Sequence, residues 1–218
     1  MPFIHLPILF FFLPAALAFH FLAARFGDDK DKAKYESMAD LAKLSFNAVF
    51  WNDTERCLYD VVENGNRDAS IRPNQILAAS LPHSMLDDER AGFVIEKVTS
   101  ELLTPVGLRS LSPNDPKYCP VYNGSPFERD SAYHQGTVWA WMIGPYVDAY
   151  RRVYGSDKTT ERRVTEILSG FNEHLSQAGL GQISEIFDAE PPHMPRGCFA
   201  QAWSVAEVLR VLVHKPAH

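Results

Sequence analysis

The chain has 218 residues and a formal net charge of −6 at pH 7, with 46% hydrophobic and 12% aromatic residues. This length suffices for one good-sized core, because domains run to roughly 100–200 residues. The acidic balance argues against a nucleic-acid partner, which would require a basic face. Neutral ligands such as sugars are compatible with this composition, because exposed aromatic rings stack on sugar rings. Most aromatic residues, however, belong to the core.

The cysteines and histidines do not form a recognisable metal or disulfide pattern. Cys57, Cys119 and Cys198 are an odd number at wide spacing, without a CxxC pair. Such spacing suggests neither a disulfide framework nor a zinc site, so a reducing compartment and a cytoplasmic location are expected. The sequence also lacks HExxH and the glycine-rich phosphate loops GxGxxG and GxxxxGK. We therefore expect no metal, no cofactor and no nucleotide chemistry.

Residues 3–24 are strongly apolar. The stretch has about the 20 residues that a membrane span needs, and a membrane-anchored helical protein is one interpretation. However, Pro7 and Pro14 interrupt it, and it lacks the positive leading region of a secretory signal. We favour a core helix preceded by residues that are foreign to the fold, and a membrane location is not expected.

The elements that follow are predicted to be almost entirely helical. Apolar residues at helical spacing predict a helix over residues 31–50, and Pro73 in a first turn opens a helix that runs from Arg72 to residue 81. Further helices are predicted over residues 87–103, 132–154, 160–175 and 200–213. A short extended piece over residues 57–62 precedes the turn at Asn64-Gly65. The segment 104–131, rich in proline and glycine, is predicted to be a long ordered loop.

An acidic loop precedes the last predicted helix. Glu185 lies between Ile183 and Ile186, with Asp188 close by. A carboxylate among apolar neighbours can have its proton affinity tuned for acid or base catalysis. From this segment alone, we favour the simpler interpretation that Glu185 caps a helix or pairs with Arg196 without doing chemistry.

Several separated motifs occur in one consistent order: residues 68–75, 103–111, 129–139, 144–146, 183–188 and 197–204. The third reads Arg-Asp-Ser-Ala-Tyr-His-Gln-Gly-Thr-Val-Trp. Together they resemble the C-terminal glucosidase domain of glycogen debranching enzymes over roughly residues 18–213. The resemblance implies an (α/α)6 toroid of twelve helices and inverting hydrolysis of the α-1,6-linked glucose left at a trimmed branch, with glycogen or limit dextrin as the partner.

We therefore expect an all-α chain with roughly seven helices, forming a partial (α/α)6 toroid. Residues 16–218 are expected to be the C-terminal portion of the glucosidase domain, with Ala16–Lys34 on a family helix. Residues 1–15 look unlike the family, as though the gene were truncated or mis-started. The N-terminal half of the domain would then be a missing partner.

Inverting hydrolysis needs a carboxylic acid and a carboxylate roughly 6.5–9.5 Å apart. The resemblance matches Glu185 to the general base, whereas the family's acid, an aspartate, lies before the segment where this chain begins. The 218-residue chain alone is thus expected to be nearly inactive, and the alternative is an inactive or sugar-binding fragment. The expected sugar-binding residues stand at helix starts after loops: Arg72, Asn74, His134, Gln135 and Trp203.

Some of these residues also have an ordinary structural interpretation. Arg72 could simply pair with Asp68, and His134 could be a satisfied cap. Tryptophans are more often core than sugar platforms, and for Trp139 we favour the core. For His134, Gln135 and Trp203 the resemblance favours the site.

Overall fold

Eight helices and nine short strands make up residues 29–213 of the computed structural model, which describes residues 18–19, 21–25 and 29–213. The helices are α1 Asp29–Phe50, α2 Gln75–Ser80, α3 Asp88–Glu101, α4 Pro126–Ala132, α5 Ile143–Tyr154, α6 Lys158–Leu168, α7 Phe171–His174 and α8 Ala202–Val213. The strands are β1 Trp51–Asn52, β2 Cys57–Leu58, β3 Val61–Glu63, β4 Asn66–Asp68, β5 Leu103–Thr104, β6 Gly107–Arg109, β7 Val138–Trp139, β8 Ile186–Phe187 and β9 Pro195–Arg196. The expectation for residues 1–15 lies outside the described residues.

Helix α5 lies at the centre and packs against both α2 and α8. Asp148 of α5 pairs with Arg210 of α8 at 2.6 Å, and one turn later Arg151 donates to the carbonyl of Val211 at 2.9 Å. These contacts advance together along both helices, so α5 and α8 run parallel. Arg152, near the end of α5, donates to carbonyls at the end of α2, so α2 runs the same way. The three helices therefore begin at one end of the molecule.

A five-stranded antiparallel sheet in the order β5-β6-β7-β8-β9 covers that end. Its central strand is β7, in which Trp139 pairs with Leu108 on one side and Ile186 on the other. A 3₁₀ turn over Ala140–Met142 leads from β7 straight into α5. The loops that carry the predicted site residues therefore meet above the starts of α2, α5 and α8. The remaining strands form two small hairpins, β1-β2 and β3-β4.

The mainly helical prediction is confirmed, but the strictly all-α prediction needs correction. The predicted helix over residues 132–154 begins only at Ile143, because residues 138–139 form the central strand. A short apolar run that is buried on both faces is compatible with either a buried helix or a buried strand, because its periodicity does not distinguish the two. Pro145 therefore falls in the first turn of α5, where its missing N–H costs no hydrogen bond.

Other boundaries follow the predictions more closely. Helices α1, α3 and α8 match the predicted ranges to within two residues, while α2 starts later than expected. The predicted loop 104–131 contains strand β6 and helix α4, and the predicted helix 160–175 is split into α6 and α7 by a turn at Gly170. Close approach requires glycine there, since a Cβ would collide with the Pro105 carbonyl.

The described part of the apolar start is helical at residues 18–19 and 21–25. Ala23 is buried, and the ring of Phe19 stacks on that of Tyr35 with centroids 5.7 Å apart. Among the helices that the structure describes, none combines the length and the hydropathy that a bilayer span requires.

Candidate functional site

Glu185 lies directly before β8, opposite Gly197 and Cys198, which directly follow β9. The N–H of Glu185 donates to the Cys198 carbonyl at 2.8 Å, and the N–H of Cys198 donates to Oε2 of the Glu185 carboxylate at 2.9 Å. Gly197 has a positive φ of 65°, and a Cβ at this position would lie 2.5 Å from Oε2 of Glu185. The strand pairing and this glycine together make room for the carboxylate and hold it.

The other oxygen of the Glu185 carboxylate is held by a phenol. The hydroxyl of Tyr133 donates to Oε1 at 2.5 Å. Burial raises the pKa of Tyr133, and the neighbouring Glu185 raises it further, so the phenol stays protonated as a donor. An ionised carboxyl can accept about four hydrogen bonds, so these two donors leave capacity for a water molecule. Glu185 is only half-buried, which gives water a route to it.

The structural interpretation of Glu185 as a partner of Arg196 is wrong. Arg196 instead forms a 2.8 Å ion pair with Asp188, and that pair raises the pKa of the guanidinium. The second oxygen of Asp188 accepts from the N–H of Tyr122 at 2.9 Å. Asp188 therefore ties the loop at Tyr122 to the β8-β9 hairpin.

His174 contacts the chain on both sides of Glu185, through the backbone of Ser184 and the side chain of Phe187. Its buried imidazole accepts from the N–H of Ser184 through Nε2 at 3.1 Å, and its edge meets the ring of Phe187 with centroids 4.7 Å apart. Burial lowers the pKa of His174. The neutral ring is the form that can accept the Ser184 N–H, so burial and hydrogen bonding favour the same protonation state.

An aromatic wall extends from the carboxylate to the start of α8. Tyr133 meets Trp139 edge-on with centroids 4.9 Å apart, and His134 stacks on Trp139 at 5.1 Å. Trp203, in the first turn of α8, lies 6.3 Å from Trp139 and stacks on Trp141 at 5.7 Å. Trp139 is 8% exposed and belongs to the core, as expected, whereas Trp203 is 47% exposed. The exposed part of the wall is therefore at Trp203.

Arg72 ties the loop before α2 to the loop that carries Tyr133 and His134. Its guanidinium donates to the His134 carbonyl at 2.6 Å and to Oε1 of Gln135 at 2.9 Å. Its ion pair is with Asp60 at 3.3 Å rather than with Asp68. His134 does not act as a cap in these contacts, since its ring lies on Trp139. Burial, and secondarily the charge of Arg72, lowers the pKa of His134.

Asp60 is a carboxyl that the sequence analysis did not single out. Burial raises its pKa to about 6, although Arg72 and a hydrogen bond with Asn74 oppose the shift. Asn74 takes the N-cap position of α2, yet its side chain makes no capping hydrogen bond there. A carboxyl with a perturbed pKa beside other candidate site residues is itself a candidate functional group. The structure thus brings Glu185 and the five expected sugar-binding residues to one end and adds Asp60 and Tyr133.

These residues do not form a metal centre. Within the part of the chain that the structure describes, no group of three or more His, Cys, Asp or Glu side chains is arranged to hold a metal ion.

We expect Asp60→Asn to become more stabilising, relative to the wild type, as the pH rises. A carboxyl with a raised folded-state pKa stabilises the fold below its unfolded pKa and loses that contribution as pH rises through the folded value. For Asp60 the window runs from the ordinary 3.8 to about 6. A shift of this size corresponds to about 3 kcal/mol. Urea unfolding of both proteins at several pH values between about 4 and 7 measures the difference.

Asp53→Asn is the matched control, because it removes the same charge from an exposed turn nearby. The control should show no comparable gain across this pH range. A free-energy difference between wild type and Asp60→Asn that stays flat, or that moves toward the wild type as pH rises, would contradict the burial argument.

Comparison with known proteins gives a family match over most of the chain. A family profile described as amylo-alpha-1,6-glucosidase matches residues 12–210. The glycogen debranching enzyme of Saccharomyces cerevisiae is 31% identical over 103 residues, which is 44% of this chain and 7% of that enzyme. The aligned region is therefore a small part of that relative's length.

Solved structures share the fold at low sequence identity. The neutral trehalase of Saccharomyces cerevisiae superposes with a TM-score of 0.66 and 16% identity, covering 94% of this chain and 36% of the trehalase. The mannosylglycerate hydrolase of Thermus thermophilus, in complex with Tris and D-glycerate, gives a TM-score of 0.61 and 16% identity, with 94% and 44% covered. The chain thus shares the six-hairpin glycosidase fold and spans less than half of either solved chain.

Proposed function

This chain belongs to the amylo-alpha-1,6-glucosidase family, and from that premise we propose that it serves in glycogen debranching. The reaction is inverting hydrolysis of the single α-1,6-linked glucose at a trimmed branch point of glycogen or limit dextrin. The observation that carries the proposal is the Glu185 carboxylate, held by the Tyr133 hydroxyl and the Cys198 N–H beside an aromatic wall that ends in exposed Trp203.

Glu185 is the general base in this proposal. Water approaches the anomeric carbon from the face opposite the leaving oxygen, and the carboxylate takes its proton as the new bond forms. Tyr133 and the Cys198 N–H fix the orientation of the carboxylate before substrate arrives. Fixed geometry of this kind lowers the entropic cost of reaching the transition state.

The proton donor in this proposal is the family's aspartic acid, on a segment that precedes the region matched here. Protonation of the leaving oxygen would come from that group, roughly 6.5–9.5 Å from the base carboxylate. The 218-residue chain supplies the base and part of the sugar pocket. Parallel α2, α5 and α8, beginning at one end, suit the inner ring of a partial (α/α)6 toroid.

The residues around Glu185 form the mouth of the candidate site, and this mouth suits a neutral sugar. The exposed ring of Trp203 can stack on the glucose ring, as aromatic rings do with apolar C–H surfaces. Hydroxyl groups are then bound by Arg72, Asn74, His134 and Gln135. Asp60 adds an acceptor beside Arg72. We place the protein in the cytoplasm with its glucan substrate.

The test is to follow the anomer that forms first, using the chain extended by the family's aspartate-bearing segment. Proton NMR of a limit dextrin digest should show β-glucose before mutarotation, because inversion converts the α-linkage. Maltose and trehalose serve as comparison substrates and should release glucose much more slowly. First formation of α-glucose would contradict the inverting mechanism, and binding of dextrin without hydrolysis would favour a sugar-binding role.

A further inference from the structure

A cleft lies at the end of α5 that is remote from the candidate site. Helix α5 runs from Ile143, next to the aromatic wall, to Tyr154. At 1.5 Å per residue, its ends are about 17 Å apart. The cleft has a volume of about 410 Å³, within the range of roughly 300–1,000 Å³ typical of ligand pockets. It is lined by Tyr150, Tyr154, Asp157, Thr159, Thr160, Arg162, Arg163 and Glu166.

Two tyrosine rings form the aromatic side of this cleft. Tyr150 and Tyr154 are one helical turn apart, with ring centroids separated by 4.6 Å and planes inclined by 52°. Tyr154 is 43% exposed, whereas Tyr146, two turns earlier, is fully buried and bonds to Thr99 at 2.6 Å. The row of tyrosines therefore begins in the core at Tyr146 and ends at the exposed ring of Tyr154, so its buried end holds the exposed end in place.

The charged groups of the cleft are hydrogen-bonded or paired. Asp157 accepts from the N–H groups of Thr159 and Thr160, at 2.9 and 2.8 Å, as the cap of α6. Glu166 lies 3.9 Å from Arg162 and 3.2 Å from Arg163. The cleft contains two acidic and two basic side chains and therefore has no formal net charge. It favours neither an anionic nor a cationic ligand. A neutral ligand with many hydroxyl groups can use both the ring faces and the polar rim.

We infer that this cleft is a second binding site for an α-glucan chain, separate from the site of hydrolysis. The inference rests on the proposed function, since it assigns the same class of polysaccharide to both ends of α5. A branched glucan presents many outer chains. Holding one chain at the Tyr150–Tyr154 cleft raises the effective concentration of the others at the catalytic mouth.

The experiment measures retardation of the full 218-residue protein in native gels that contain glycogen, together with calorimetric titration of maltoheptaose. Tyr154→Ala should weaken glycogen association by roughly three- to tenfold, the range expected for loss of one aromatic contact. Tyr154→Phe keeps the ring and should bind nearly as well as the wild type. Thr159→Gln narrows the cleft from an exposed position and should weaken binding without touching the core.

Two further variants separate this inference from the proposed function. Phe127→Ala removes an 80% exposed ring outside the cleft and should change nothing. Trp203→Ala should weaken binding at the mouth and leave a component that Tyr154→Ala then removes. Loss of all binding in Trp203→Ala alone, or unchanged binding in both Tyr154→Ala and Thr159→Gln, would overturn the second site while leaving the proposed function intact. No retardation of the wild type would overturn the second site, whereas the proposed function is tested separately by the anomer that the extended chain releases first.

Discussion

The 218-residue polypeptide alone is expected to release glucose from a limit dextrin more than about 10⁴-fold more slowly than the same chain supplied with the family's aspartate-bearing segment. A positioned proton donor typically contributes about 10²–10⁴-fold to such a reaction. Glu185 without that donor leaves the departing oxygen unprotonated. The deficit should exceed the donor's own contribution, because the added segment would also complete the wall that orients the sugar ring.

Glucose release by the two forms at equal protein concentration measures this effect. The control is the extended form with its aspartate changed to asparagine, which restores the wall without the donor. This control variant should recover dextrin binding, but it should recover little of the rate of glucose release. Robust glucose release by the 218-residue chain, insensitive to the added segment, would refute the division of the two catalytic carboxyls between this chain and that segment.

The helices that the sequence predicts correctly are those whose apolar residues recur at one helical spacing. Helices α3 and α8 are placed well because each buries a stripe of residues spaced three or four apart and leaves the rest at least partly exposed. Helix α1 is placed well from its apolar spacing, although only Phe46 and Phe50 are buried in it. The segment around Val138 and Trp139 was misassigned, since both residues are buried between neighbouring strands and no polar face marks their period. Strands of two or three residues are stabilised by the strands with which they pair in the sheet. The local sequence pattern does not show which strands those are.

The site was predictable to the extent that its residues stand in recognisable motifs. Arg72, His134 and Gln135 occur in two separated motifs, and the structure joins them through the guanidinium of Arg72. Tyr133 lies beside His134 in the same motif, yet nothing in its own identity points to the carboxylate it holds. The unusual carboxyl of Asp60 arises from burial and from its contact with Arg72, both of which exist only in the folded chain.

Glu185→Gln is expected to lower the hydrolysis rate of the extended protein by about 10³-fold or more, because a glutamine amide cannot take a proton from water. Tyr133→Phe should have a smaller effect, roughly 10- to 100-fold on kcat with little change in KM. The phenylalanine ring keeps the contacts with Trp139, so the variant loses only the 2.5 Å hydrogen bond that orients the base. Dextrin binding should survive in both variants.

Glu190→Gln is the matched control for these two variants. Glu190 lies on the same segment, its side chain is 50% exposed, and its carboxylate accepts from Tyr118 at 2.7 Å rather than from Tyr133. Its amide variant should therefore keep nearly full activity. If Glu185→Gln and Glu190→Gln lost activity equally, the deficit would reflect general damage to the segment. If Glu185→Gln stayed active, the base would have to be another carboxyl, and Asp60, with its raised pKa at the same end of the molecule, would be the next to test.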